Sequence, residues 1–202
     1  MDRLERLRTV TTMFDLSLHP FYVEWRRGTL PAERLAAYAA AFDSFIGTVA
    51  HGWDAAGRPD YAATEREHHG LWRRFGGALG AATPREPDAD DTLARVAGNL
   101  FRAAPEAVGA LYAFEVQQPV TARSKLDGLR EHYHLGDAAE EYFRVHADDW
   151  DEAKHLQHVM ADMPEADFQR AWSACALLGA ALWGGLDRVY YGGLQEGPVS
   201  RR

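Results

Sequence analysis

Tyr61, Glu65, His68, Trp72, Phe75 and Leu79 recur at alternating intervals of four and three residues. That spacing puts all six on one side of an α-helix, with a carboxylate and an imidazole in the middle of an aromatic face. Charged or polar groups on an inward face are costly unless a metal or a substrate satisfies them. The pattern returns twice. Glu115 is flanked by Val108, Leu111 and Tyr112, and His146 and Asp149 stand in the stripe Tyr142, His146, Asp149, Ala153, Leu156, Met160 and Met163. Carboxylates and imidazoles without a thiolate suit iron, manganese or zinc rather than an iron–sulfur cluster. Two close cations need bridging carboxylates to offset their repulsion, and Glu65 and Glu115 are available. Trp72, Phe75, Tyr112, Phe114 and Tyr142 could line an apolar pocket beside such a centre.

Helices must position these groups, and helix signals run along almost the whole chain with no period-two alternation. A first amphipathic helix is predicted over residues 2–17, broken near His19-Pro20, with a short continuation through Trp25. Pro31 opens a second helix to about Ala56, with Leu35, Tyr38, Phe42, Phe45 and Val49 buried. The third spans Pro59 to Leu79 and stops at Gly80. Thr83 to Asp90 is a polar stretch, and Asp90-Asp91-Thr92 can cap a fourth helix ending near Ala104. Pro105 opens a fifth, kinked at Pro119 and ending around His134 to Gly136. The sixth runs from Asp137 to Met163. The seventh spans Glu165 to about Tyr191 and closes at Gly192-Gly193. Seven helices with short connections make an all-α bundle, read as one domain over residues 1–202.

With 202 residues and 47% hydrophobic content the chain can bury one substantial core. A net charge of −8 with dispersed basic residues argues against nucleic acid or an anionic membrane surface as partner. No apolar run approaches the roughly 20 residues that span a bilayer. The start, Met1 to Arg6, lacks the basic-then-apolar order of a signal peptide. Cys175 is the one cysteine, so no intramolecular disulfide forms, and the expected compartment is the reducing cytoplasm.

The sequence also resembles a known group. His19-Pro20-Phe21-Tyr22, Gly28-Thr29-Leu30-Pro31 with Tyr38, His68-His69-Gly70-Leu71-Trp72, Tyr112 through Pro119, Tyr142-Phe143-Arg144-Val145-His146, Leu182-Trp183 and Leu186-Asp187 look like the haem-oxygenase-like superfamily. That superfamily holds pyrroloquinoline-quinone synthase, thiaminase II and non-haem dimetal oxidases. The likeness covers nearly the whole chain and implies a seven-helix haem-oxygenase-like bundle. In the dimetal oxidases it implies ligands from three core helices: a glutamate and a histidine, then a glutamate, then a histidine, aspartate and histidine. Glu65 with His68, whose i, i+3 spacing lets both reach one ion, then Glu115, then His146 fit the first four places.

The last two places are different here, because the family spacing asks for aspartate at 150 and histidine at 153, and this chain has Trp150 and Ala153. Asp148, Asp149, Asp151, Glu152, His155 and His158 stand nearby. Asp149 is one turn from His146 in an undistorted helix. His155 lies nine residues beyond His146 and falls on the opposite side of a regular helix, so it and Asp151 join only if that helix unwinds or bulges.

The expected function is therefore a non-haem iron oxidase or oxygenase, with two iron ions and manganese as the alternative metal, using O2 on a small-molecule substrate. Its expected metal ligands are Glu65, His68, Glu115 and His146, completed by Asp149 or the Asp151/His155 pair, with Trp72, Tyr112, Phe114 and Tyr142 at the pocket, and a homodimer is the expected assembly. The alternative is a metal-free member of the same superfamily, either a cofactor-independent oxidase or a small-molecule-binding protein. Thiaminase-like chemistry needs a mid-chain cysteine, whereas Cys175 sits among apolar neighbours in the last helix and reads as a small hydrophobe.

Overall fold

A computed structural model describes residues 2–81 and 91–192. The polar stretch from Thr83 to Asp90 and the stop at Gly193 lie outside them. Ten α-helices build the described chain: α1 (Arg3–Met13), α2 (Pro20–Arg27), α3 (Ala32–Ala55), α4 (Pro59–Ala78), α5 (Thr92–Leu100), α6 (Ala104–Glu115), α7 (Gln118–Gly128), α8 (Asp137–His146), α9 (Asp151–Asp162) and α10 (Glu165–Tyr191). A 3₁₀ turn at Leu16–Leu18 precedes α2, and a π turn at Leu129–Tyr133 closes α7. None of the described helices is long and apolar enough to cross a membrane.

The caps explain most boundaries. Asp2 accepts from the backbone N–H of Glu5, and Asp91 accepts from that of Ala94. His19, fully buried, uses Nδ1 to accept from the Phe21 N–H at 3.1 Å, with Pro20 as the first residue of α2. Gly28 ends α2 at φ 69°, and a Cβ there would meet the His132 ring at 2.4 Å, so both backbone conformation and space require glycine.

Two expected helices divide. Proline at 119 was expected to kink one helix; instead α6 ends at Glu115 and α7 restarts at Gln118 with Pro119 in its first turn. The predicted helix over residues 137–163 breaks between His146 and Asp151. Ala147 turns extended, Asp148 takes φ 66°, and the Asp149 carboxylate accepts from the Asp151 N–H to start α9. An ion pair from Arg123 of α7 to Asp148 ties this corner down. Four acids in the run Asp148 to Glu152 favour a helix start over a helix interior, since short acidic side chains hydrogen-bond the local backbone.

The core is strongly aromatic: Trp25 stacks on Phe75 at 6.0 Å and meets Phe143 edge-on at 5.5 Å. Packing of α3 on α4, α4 on α8 and α6 on α10 and α9 sets the frame for the inward polar residues. The α6–α10 approach depends on Gly109, where a Cβ would sit 1.8 Å from the Ala171 carbonyl oxygen. Gly109→Ala must push two helix backbones apart, and we expect it to destabilise the fold by roughly 3 kcal/mol or more, read as a lower urea midpoint.

Candidate metal centre

Helix α4 carries Glu65 and His68 one turn apart, and α8 ends on His146. The ligand-type atoms of these three residues all lie within 4.8 Å of one another. His68 Nδ1 is 2.7 Å from Glu65 Oε1, and the His68 and His146 rings are 4.5 Å apart. Glu115, in the last turn of α6, and Glu152, in the first turn of α9, lie beside this trio rather than within its 4.8 Å: each carboxylate feels the charge of the other and of Glu65. Glu65, Glu115 and His146 are 1%, 3% and 4% exposed, so the cluster is sealed from bulk water on most sides.

Burial and the acid–acid contacts dominate the electrostatics. Burial first, then the Glu152 and Glu65 carboxylates, hold the Glu115 pKa well above the carboxylate range. Burial followed by Glu65 pushes Glu152 up to about 8. Burial opposes the His68 imidazolium, but its hydrogen bond to Glu65 and the charges of Glu65 and Glu152 outweigh that and raise its pKa. Burial lowers His146 to about 4, despite Glu65. His146 is therefore neutral near pH 7, and its Nδ1–H donates to the Tyr142 carbonyl at 2.7 Å. The proton on Nδ1 leaves the Nε2 lone pair free in a residue that neighbours Glu65.

That lone pair has no partner. His146 Nε2 and Glu115 Oε1 are both buried and lack any hydrogen bond. Orphaned buried acceptors of this kind are rare and each costs about 1–3 kcal/mol. A cation is the group that satisfies an imidazole lone pair and several carboxylate oxygens together, and the Nδ1 hydrogen bond fixes the tautomer that a metal requires. The donor set fits iron or manganese.

The other expected site residues are placed differently. Asp149 is exposed, its carboxylate accepting from the Asp151 N–H just before α9 begins. His155 points outward, its Nε2 accepting from Arg58 at 2.7 Å and its ring packing near Tyr61 and Trp53. Neither joins Glu65, His68 and His146, and the corner at residues 147–150 is the reason. In a straight helix Glu152 would stand about 120° away from His146. The corner re-aims α9 and brings Glu152 inward instead. Glu152 was one of six nearby acids and histidines in the sequence, and nothing in its spacing singled it out.

Trp72, Phe114 and Tyr142 share one closed cavity of about 10 Å³, room for roughly one water, with Tyr22, Tyr38 and Lys125. The Tyr142 ring is 4.3 Å from His146 and 4.9 Å from Trp72, so it forms the wall between cavity and cluster. Gln118 donates to the Tyr142 hydroxyl at 2.9 Å. Tyr112 does not belong to this pocket. It points toward α1 and α10, where it feels Arg8 and Cys175, because residue 112 is on the α10-facing side of α6. Lys125, missed from sequence because its surroundings come from four helices, is 4% exposed with Nζ 4.2 Å from the Tyr22 ring and 3.3 Å from the Tyr38 hydroxyl. Burial lowers its pKa to about 7.

A helical bundle with carboxylates and imidazoles converging from four helices defines the class, a haem oxygenase-like protein. Solved structures agree on the fold: a heme oxygenase-like domain of unknown function from Shewanella denitrificans superposes with TM-score 0.79 over 100% of this chain and 98% of its own, at 16% identity. A TenA homologue from P. horikoshii gives TM-score 0.73 over 96% and 100%, at 15% identity. The family model for iron-containing redox enzymes matches residues 46–184, more than half of the chain. The chain belongs to that family and is an enzyme of the oxidoreductase class. Among curated relatives, 4-aminobenzoate synthase of Chlamydia trachomatis is 27% identical over 93% of this chain and 91% of its own. The Nitrosomonas europaea protein of that name is 28% identical over 85% and 84%.

Proposed function

We propose that this chain is a non-haem iron oxidase that uses O2 on a small aromatic metabolite, with formation of 4-aminobenzoate, the product in the relatives' name, as its reaction. The observation that carries this reading is the buried, unpartnered His146 Nε2 in a residue clustered with Glu65 and His68, with the Glu115 and Glu152 carboxylates next to them.

Glu65, His68, Glu115, His146 and Glu152 would hold two ferrous ions, whose four positive charges offset the three carboxylates that otherwise repel one another. The bound iron supplies the electrons and open coordination positions that O2 needs. The protein's own part follows from the geometry. Tyr142, backed by Gln118, fixes the boundary between ligands and cavity. Trp72, Phe114 and Tyr142 offer rings against an aromatic substrate, and Lys125, when protonated, offers the cation that pairs with a carboxylate. The cavity has room for about one water, so the rings must part to admit a substrate.

Anaerobic loading with ferrous iron, metal analysis and admission of O2 test the centre. About two irons per chain and a change in visible absorption on oxygenation are expected. Expression in a bacterium unable to make 4-aminobenzoate tests the product, and growth without the added compound is expected. Iron uptake without growth rescue would discard the product and keep the centre; no specific iron uptake would discard the centre and leave a metal-free protein.

A further inference from the structure

We infer that Trp53 and Tyr61 form an electron relay between the iron centre and the protein surface, a role that rests on the iron reading above. Trp53, in the last turn of α3, is fully buried, and Tyr61, in the first turn of α4, is half-buried. The turn through Gly57 folds one helix back on the other and brings their rings to 4.6 Å, inclined at 42°.

The inner end lies beside the centre. The Trp53 indole N–H and Glu115 Oε1 are both buried without a hydrogen-bond partner, and Tyr61 stands one turn before Glu65 on α4. The outer end reaches solvent, where the Arg58 guanidinium covers the Tyr61 ring at 3.9 Å and the His155 ring lies 5.7 Å away. Indole and phenol are the most readily oxidised side chains apart from those containing sulfur, and rings in contact exchange electrons easily. A cation over Tyr61 opposes positive charge on that ring, so Tyr61 gives up its electron together with its phenolic proton, which passes to water.

The electrons balance as follows. Reduction of O2 to two waters takes four electrons and four protons. Two ferrous ions give two electrons in becoming ferric, and in the absence of an organic substrate two more must come through the protein. Trp53 passes one electron inward and is refilled by Tyr61; an external one-electron donor such as ascorbate then restores Tyr61, which takes back a proton from water. A second passage completes the reduction, and the remaining protons come from solvent. The relay thus spares the ligands and the inner cavity from oxidation when O2 is activated without substrate.

The test loads wild-type, Tyr61→Phe and Trp53→Phe proteins with ferrous iron, counts the iron, admits O2 without substrate and freezes the samples for electron paramagnetic resonance. Wild type should show a tyrosyl radical that changes on ring-deuteration of tyrosine and disappears with ascorbate. Tyr61→Phe, which only removes a hydroxyl, should bind iron normally, lose that signal and leave a longer-lived indole radical. Trp53→Phe should show neither. Peptide mass spectrometry after repeated oxygenation should find added oxygen on Tyr61 in wild type and on Trp72 or Tyr142 in the variants. If iron binds and turns ferric with no aromatic radical, or with one that both variants retain, the relay is overturned and the iron reading stands. If no iron binds, both fall.

Discussion

His146→Ala should bind about one iron per chain or fewer and lose at least ~100-fold in oxidase activity, while its far-ultraviolet circular dichroism stays helical. The residue supplies a neutral imidazole whose Nδ1 is committed to the Tyr142 carbonyl and whose Nε2 has no other partner. Its removal therefore deletes a donor to the metal without breaking a tertiary hydrogen bond, since the Nδ1 bond runs within α8. Loss of a supporting group around a metal typically costs 10–100-fold in affinity, and loss of a direct donor costs more. A His146→Gln protein, which restores a neutral donor of similar reach, should recover part of the iron. Undiminished iron in His146→Ala would remove this residue from the centre.

Stability of the metal-free protein should fall as pH rises from about 6.5 to 8, above the range in which His146, held neutral down to about 4, works in the opposite direction, and the reverse of the common acid-denaturation trend. Glu152 and Glu115 titrate as a pair, both with folded pKa values above the ordinary carboxyl range and Glu152 at about 8. In that window the folded chain holds protons that the unfolded chain has released, so each rise in pH favours unfolding. The contribution is fully present in acid, below the unfolded pKa, and is lost as pH climbs to the folded value. The effect is roughly 2 kcal/mol at most across the window, less with allowance for the partial exposure of Glu152, or on the order of 4–8 °C in melting temperature for a chain of this size. Glu152→Gln should flatten the slope and raise the melting temperature of the metal-free protein at pH 8. Ferrous iron should do the same in wild type by displacing the protons, and its binding should release acid. A flat melting temperature between pH 6.5 and 8 in chelated wild type would show that the pair is not buried together.

Helical periodicity carried the arrangement inside each helix. Glu65 and His68 had to share a side of α4, and Tyr142 had to lie one turn below His146 on α8, because 3.6 residues per turn leaves little choice. The bundle class was equally legible from the apolar stripes, and the family likeness named it. Breaks were harder to read. Pro119 and the acidic run around Asp148 signalled irregularity, but only packing turned a kink into a restart and one long helix into α8 and α9.

Sequence alone thus determined which side chains were too polar for the faces they occupy, and hence that three helices carry a site. Tertiary structure decided who completes it. The corner held by the Arg123–Asp148 pair swings Glu152 inward and leaves Asp149 on the surface and His155 beside Arg58. It also set Lys125 between two tyrosines and Trp53 against Tyr61. The physical reason is one of range. Local spacing fixes directions within a helix, whereas the relative rotation of two helices depends on the side chains that meet across them, and those contacts are far apart in the chain.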